Sequence, residues 1–460
     1  MRINTFFFLL LSVVAFGQAP EATPNTQELN AVQFVQWVDQ NHPVLQSVRN
    51  RLPIAKAELL KARGAFDPTL VGNYSSKEYD GELYYELPAV QLALPTASPI
   101  DLQVDWNSST GIYTNPQNKL PEEGLFAVGG MINLGNGLMT DERRTSLRLA
   151  KAAVDLTEAE AQLYRNKLLA KAMSDYWKWY EAYASLVAYE SAVEAAREVY
   201  DFTMNAFNAG DAAAIDTLDA RALLTTWQTD YFKARNKAIT AMYGASNWLW
   251  SSDGQPVLLK PESRPTAVMQ ELLVSLELDP THPLYVYNDN KEEQFRLKRQ
   301  LAREYLKPKV AVGGAVLMPG NFSELPTSAD YDPNNRVVKA KLDMPLFLRT
   351  GRGYSRSQNL QLQNFQLERS ETENSWNNAL SAAAEGIVQL EVALNASLKN
   401  QESLRLLLEA EKRKLELGDS ELIKVNLRTS YYAKALIQTA NITRELGVQK
   451  ALWQELSATF

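Results

Sequence analysis

The chain has 460 residues and is 45% hydrophobic and 22% charged, a balance that excludes a disordered chain and a small disulfide scaffold. It has no cysteine and only two histidines, which excludes thiolate metal sites and a His-rich metal site. Lys and Arg number 47 against 54 Asp and Glu, so the charge does not predict nucleic-acid binding. We therefore expect no metal and no cofactor, and a channel, scaffold or binding protein is favoured over an enzyme.

The first residues have the layout of a secretory signal peptide. Arg2 gives a positive start, the stretch from Phe6 to Phe16 is almost entirely apolar, and Ala15 and Gly17 offer small residues before a cut. An anchor helix is the alternative, but this apolar run is too short for a bilayer that needs roughly 20 residues. The sequence predicts export, with residues 1–17 removed.

The chain repeats itself once. His42-Pro43 recurs as His282-Pro283, and several other residues recur at the same offset. We predict a first structural repeat over residues 18–250, a Pro-rich connector over 251–280 and a second repeat over 281–460. Units of this length are far longer than solenoid repeats, which indicates a duplicated domain.

Each repeat is predicted to contain a short helix, strands and a long helical hairpin. The strands are expected within 69–134 and 309–346, and the hairpins within 141–250 and 355–458, where Gly and Pro are scarce. A coiled-coil seam is indicated in the second hairpin by apolar residues that alternate spacings of four and three, namely Trp376, Leu380, Ala383, Ile387, Leu390 and Leu394. Three polar residues interrupt this seam further on: Ser397, Gln401 and Glu411.

Two strands are predicted most clearly by strict alternation of apolar and polar residues. They lie at Ile100–Asn107 and Val338–Met344. An ordinary half-buried sheet and a barrel wall with lipid outside and water inside both fit this pattern. We count two strands per repeat, or four per chain. Because the smallest membrane barrels have about eight strands, a barrel would need several chains, and three would give twelve strands.

The signal peptide, the duplicated helix–strand–helical hairpin unit and the Gly turns resemble the TolC-type outer-membrane efflux proteins. The turns read Phe-Asn-Ala-Gly (207–210) and Leu-Glu-Leu-Gly (415–418). The resemblance implies a mainly α fold with a membrane β-barrel: a homotrimeric twelve-strand barrel in outer-membrane lipid, continued by an α-helical periplasmic tunnel. It also implies a passive exit duct of a tripartite efflux or type I secretion system. Its partners would be a periplasmic adaptor protein and an inner-membrane pump.

The resemblance places the two Gly turns at the periplasmic tip, where the tunnel narrows and the adaptor docks. The turn residues are Ala209, Gly210, Asp211, Leu417, Gly418 and Asp419. The gate acids of the family correspond in the first repeat to Asp216, with Asp219 three residues on, but the second repeat has Lys424 at the matching position. Asp216 and Asp219 therefore have two interpretations: a carboxylate ring in the tunnel, or solvated acids at a helix start.

The alternative function is a periplasmic or cell-surface coiled-coil scaffold or adhesin without transport activity. It explains the long helices but not the strands placed between them. An enzyme is the least favoured class, because the sequence contains no Gly-rich phosphate loop and no nucleophile elbow.

Overall fold

The computed structural model describes residues 28–115, 119–269, 271–272 and 274–460. The predicted signal peptide lies outside the described residues. In chain order the elements are β1 (Glu28–Leu29), α1 (Ala31–Asn41), α2 (Pro43–Arg63), β2 (Thr69–Tyr79), β3 (Glu82–Leu94), β4 (Ile100–Asn107), β5 (Leu125–Asn133), α3 (Glu142–Ala209), α4 (Ala214–Ser246), β6 (Arg264–Pro265), α5 (Pro283–Glu304), β7 (Lys309–Pro319), β8 (Arg336–Asp343), α6 (Arg349–Glu416) and α7 (Leu422–Ser457). The mainly α fold with an antiparallel sheet confirms the predicted fold class.

The chain divides into two compact units. The helical unit comprises Met1–Pro43, Leu169–Leu273 and Glu385–Leu452, and the sheet unit comprises the remaining segments, Val44–Leu168, Val274–Ala384 and Trp453–Phe460. None of the helices in the described ranges is long and apolar enough to cross a membrane.

The helices α3 and α6 each run for 68 residues, far beyond the usual length of a globular helix. Ala, Leu, Glu, Lys and Arg dominate both sequences, and these residues have high helix propensity. The predicted seam of α6 is deeply buried at Leu380, Ala383 and Ile387, which are 0–2% exposed. From Leu390 onwards the seam residues are half-buried.

The core of the helical unit forms around aromatic residues of α3. Trp177 and Trp179 are fully buried, and the Tyr176 ring lies 5.2 Å from that of Phe34 in α1. The Tyr176 hydroxyl lies 2.8 Å from the Leu29 carbonyl oxygen and accepts the backbone N–H of Thr266 at 3.1 Å. It thereby contacts both sides of the short parallel pairing between β1 and β6. Of these two strands, β6 lies inside the predicted connector. Burial raises the pKa of Tyr176 well above its ordinary value, so the hydroxyl stays neutral and hydrogen-bonded.

In the sheet unit, α5 is attached to α6 by a charged cluster. The guanidinium of Arg369 contacts Glu292 at 3.0 Å, Asp289 at 2.8 Å and Glu373 at 2.8 Å. The side chain of Gln366 donates to Glu292 and, with two arginines, lowers its pKa. The cluster therefore keeps Glu292, which is 7% exposed, ionised and paired.

One six-stranded antiparallel sheet has the order β2-β3-β4-β5-β7-β8. Four strands per chain was therefore too low a count. β4 is the strand predicted at Ile100–Asn107, whereas β3, which pairs with it, was not identified from the sequence. Pro88 and the flanking Leu and Ala residues hide the alternation of β3, because Pro lacks a donor for the ladder and apolar residues occur on both faces.

Glycines allow an unusually close approach of β5 and β7. Gly129 pairs with Ala315 and Gly130 pairs with Gly314. A Cβ added at Gly129 would clash with the backbone carbonyl of Gly314. Such glycines let a sheet bend sharply, and these lie where a strand of the first predicted repeat meets a strand of the second.

Candidate functional site

Two surfaces follow from this fold: the faces of the sheet and the turns between the long helices. Cross-strand partners lie on the same face of a sheet and successive residues alternate, so the strand registers assign each residue to a face. The apolar face carries residues from all six strands: Leu70, Val90, Leu92, Ile100, Leu102, Val104, Trp106, Phe126, Val128, Ile132, Val310, Val312, Val316, Met318, Val338, Ala340 and Leu342.

The opposite, polar face differs sharply in composition. It carries Asn73, Gln91, Asp101, Gln103, Asp105, Asn107, Lys339, Lys341 and Asp343, and between them lie small residues and some apolar ones, such as Val71, Met131 and Leu317. Apolar residues nonetheless remain open to solvent in the single chain, since Leu70 and Val338 are each 71% exposed. An exposed apolar face of this extent indicates that something apolar covers it.

The helix-to-helix turns at Gly210 and Gly418 share one backbone arrangement. Gly210 has φ of 89° and Gly418 has φ of 79°, the left-handed region in which glycine carries no steric cost. At the first turn, Gly210 N–H donates to Phe207 O at 3.0 Å and Asp211 N–H donates to Ala206 O at 2.9 Å. This pair of bonds is the Schellman motif, which satisfies the last carbonyls of α3.

The second turn repeats these bonds at the end of α6. Gly418 N–H donates to Leu415 O at 3.0 Å, and Asp419 N–H donates to Lys414 O at 2.8 Å. Ala209, Asp211, Leu417 and Asp419 are exposed at the two turns. Both glycines are thus left-handed caps that end a long helix.

Asp216 and Asp219 lie in the first two turns of α4, and both are exposed. Asp216 Oδ2 accepts the backbone N–H of Ala213 at 3.0 Å. Ala213 occupies the N-cap position and has no side-chain acceptor, so Asp216 supplies the side-chain hydrogen bond at this helix start. The structure of one chain therefore gives Asp216 a capping role, and Asp219 lies one turn further along the same helix.

Lys424 occupies the corresponding first turn of α7 and contacts an acid of its own helix start. Its Nζ lies 3.9 Å from Glu421 Oε2, and both side chains are largely exposed. The ion pair within the described chain is thus local, and a pairing of Lys424 with Asp216 or Asp219 would need another copy.

Glu411 is a residue of the second turn that sequence reasoning noted only as an interruption of the seam. Its carboxylate accepts from Ser420 Oγ at 2.5 Å and lies 3.7 Å from Arg428 Nε. The hydrogen bond from Ser420, aided by nearby basic groups, lowers the pKa of Glu411. The second turn is therefore bound across its two helices by a charged contact.

The other two polar residues that interrupt the predicted seam, Ser397 and Gln401, also lie in defined surroundings. Ser397 Oγ lies 2.8 Å from Thr439 Oγ1 of α7. Gln401 lines a groove of about 810 Å³ in the helical unit, whose wall also includes Met269 of the connector. The sequence did not predict this groove, because its walls come from four distant stretches of chain. In the described ranges no group of three or more His, Asp or Glu side chains is placed to hold a metal ion.

Residues 102–243 match the family described as outer membrane efflux protein. No curated protein sequence matches the chain. The fold is similar to that of the Campylobacter jejuni CmeC outer membrane channel (12% identity, 94% of this chain and 86% of that chain, TM-score 0.64). It is also similar to the outer-membrane channel OprN (15% identity, 94% of this chain and 90% of that chain, TM-score 0.65). A third similar structure is the outer membrane protein VceC of Vibrio cholerae (13% identity, 93% of this chain and 96% of that chain, TM-score 0.62). The resemblance inferred from the sequence is confirmed.

Proposed function

We propose, from the match of residues 102–243 to the outer membrane efflux protein family, that this chain forms a passive exit duct in a cell outer membrane. Three copies would surround one water-filled path, and the helical unit would extend it into the periplasm. The chain itself would do no chemistry. Energy would come from an inner-membrane transporter of an efflux or type I secretion system, coupled through a periplasmic adaptor.

The apolar face of the six-stranded sheet carries this proposal. Residues of both repeats contribute to it, and its opposite face bears Asp and Lys side chains. A strand that crosses a bilayer needs about 9–11 residues, and β2, β3, β5 and β7 have 9–13. A wall with lipid on one side and water on the other requires such a two-faced sheet.

Location and transport can be tested separately from each other. The full chain should be recovered with outer membranes and should require detergent for extraction. Purified protein should then conduct ions in planar bilayers. Recovery in the soluble periplasm, or on the cell surface without conductance, would favour the alternative, a coiled-coil scaffold or adhesin.

The tips of the helical hairpins are the proposed adaptor contact and gate. Both turns are exposed and share the same pair of Schellman bonds. Three copies would bring up to six carboxylates of Asp216 and Asp219 near one level of the path, where a ring of acids attracts cations. Lys424 would offset part of that charge or pair with these acids in a neighbouring copy.

Bilayer recordings distinguish these roles at the gate. Replacing both Asp216 and Asp219 with Ala should reduce cation selectivity and block by divalent cations if they form a ring. If they pair with Lys424 of a neighbour, the same change should raise conductance and Lys424→Ala should have the same effect. Unchanged conductance, selectivity and block in all these variants would leave Asp216 and Asp219 as helix-start acids alone.

A further inference from the structure

The six-stranded sheet ends in two unpaired edges. β2 pairs only with β3 and β8 pairs only with β7 in the described sheet, so each presents a row of backbone groups outward. In a bilayer, each unpaired backbone group costs several kcal/mol, so an open edge must find a partner.

We propose that β8 of one copy pairs with β2 of the next, so that three copies close a barrel of eighteen strands rather than twelve. The inference rests on the proposed function for the membrane location and for the number of copies. The strand number itself comes from the six strands of this chain.

The direction of the edge strands permits this closure. All neighbouring strands in the sheet are antiparallel, and their number is even. The first and last strands of a chain therefore run in opposite directions. Copies related by rotation about the barrel axis would meet β8 against β2 in antiparallel pairing, the arrangement of the rest of the wall.

The faces of the two edge strands also match. On the apolar face, β2 presents Leu70 and Gly72, and β8 presents Val338, Ala340 and Leu342. On the polar face, β2 presents Asn73 and Ser75 and β8 presents Lys339 and Lys341. Pairing would continue the apolar surface over these positions, with Arg336 on the same face only at the start of β8. It would also cover part of Leu70, Val338 and Leu342, which are 71–72% exposed in the single chain.

The hairpin of β3 and β4 is built as part of the wall rather than as a loop outside it. β3 pairs with β2 over nearly its whole length, and β4 pairs with β5 at all eight of its residues. Its connecting turn is tied to the start of α3, because Arg143 Nη2 donates to Thr96 O at 3.3 Å and to Asp101 Oδ1 at 2.7 Å. The hairpin therefore returns to the level at which the helices begin.

The consequence for the barrel is its width. With strands about 4.8 Å apart and tilted by about 40°, twelve strands give a backbone diameter of about 24 Å and eighteen strands give about 36 Å. Barrels of 16–18 strands leave an open aqueous channel.

Disulfide cross-linking tests the closure, since the natural chain has no cysteine. Gly72→Cys would be combined in turn with Val338→Cys, Ala340→Cys and Leu342→Cys, which scans the register on the apolar face. Mild oxidation in the membrane should give linked dimers and trimers in one register. The control pair, Asn73→Cys with Ala89→Cys, joins register partners of one chain and should stay at the mass of a single chain. No linked species in any register, while the control pair oxidises, would overturn the closure.

Spin labels test whether the hairpin belongs to the wall. Labels at Leu92 and Leu102 should be as accessible to oxygen, and as protected from a water-soluble nickel complex, as labels at Val128 and Val312. Labels at Gln91 and Gln103, on the polar face of the same strands, should show the reverse. If β3 and β4 lie outside the bilayer, nickel will reach Leu92 and Leu102 while Val128 and Val312 stay protected, which overturns the eighteen-strand barrel and leaves the duct intact. Nickel access at Val128 and Val312 as well would instead contradict the proposed function.

Discussion

The turn after α3 and the turn after α6 can be compared bond by bond. Each ends its helix with a glycine at positive φ and with the same two backbone hydrogen bonds. The side chains around the two turns differ. The first turn is followed by Asp216 and Asp219 in α4. The second is followed by Lys424 in α7, and Glu411 of α6 contacts Ser420 and Arg428 across this hairpin. Backbone geometry is thus shared by the two turns, while the charged side chains around it differ.

The two turns are therefore stabilised by different side-chain contacts. The first depends on a capping carboxylate within α4, and the second depends on a contact between α6 and α7. We expect the common backbone features to respond alike to mutation, and the side-chain features to respond only at their own turn.

The largest effect should come from the glycines. Gly210→Ala and Gly418→Ala each force a side chain into the left-handed region, which costs roughly 1–2 kcal/mol. Both variants should accelerate amide exchange at their own turn to a similar degree, measured by hydrogen-exchange mass spectrometry. Gly244→Ala is the matched control, because Gly244 lies within α4 with open space at its Cβ. That change should stabilise the helix by about 0.5–1 kcal/mol. A much larger loss of amide protection at one turn than at the other would contradict the expectation that the shared backbone geometry responds alike.

The next effect should come from the cap of α4. Asp216→Ala removes the acceptor for the Ala213 N–H and should loosen the helix start by about 1 kcal/mol, seen as faster exchange in the first turn of α4 alone. Asp216→Asn keeps an acceptor without the charge and should retain most of the protection. If Asn also alters the cation selectivity of the channel, the charge of Asp216 acts on ions independently of the cap. Equal loss of protection in both variants would contradict the capping role.

Glu411→Gln should loosen only the second turn, and by less. It removes the ion pair with Arg428 while leaving an oxygen that can accept from Ser420. Exchange should rise at Asp419 and at the start of α7 and stay unchanged at Asp211. A comparable rise at the first turn would show that the two turns are coupled.

The smallest effect is the pH dependence of the same contact. The pKa of Glu411 is lower in the folded chain, so its contribution is present above its unfolded pKa of about 4.3 and is lost as the pH falls through the folded value. Acid should therefore loosen the second turn of the natural chain, and this dependence should be weaker in Glu411→Gln. The same pH response in both chains would exclude Glu411 as its source.

Much of the fold could be predicted because it follows from local pattern. Long stretches in which Gly and Pro are scarce predicted the long helices, and a glycine after each predicted the reversal at Gly210 and Gly418. The strands β4 and β8 alternate strictly and were found. β3 was not, because Pro88 interrupts its ladder and because apolar residues occur on both of its faces.

The contacts of the candidate site were harder to predict because they join distant residues. Ser397 and Glu411 appeared only as interruptions of a seam, since Thr439 and Arg428 come from another helix. Asp216, by contrast, makes a contact that is local in sequence. Its spacing from Gly210 fitted a gate, whereas its hydrogen bond to Ala213 follows from a helix start with an alanine at its N-cap.

The position of the β3–β4 hairpin has a further consequence for the diameter of the proposed barrel. It lies between β2 and β5, so it alters neither of the two strands at which copies would meet. A hairpin always adds strands in pairs, and the edges therefore keep their opposite directions whether it is present or absent. In the proposed trimer, gain or loss of this segment would widen or narrow the outlet by six strands while the joints between copies stayed the same.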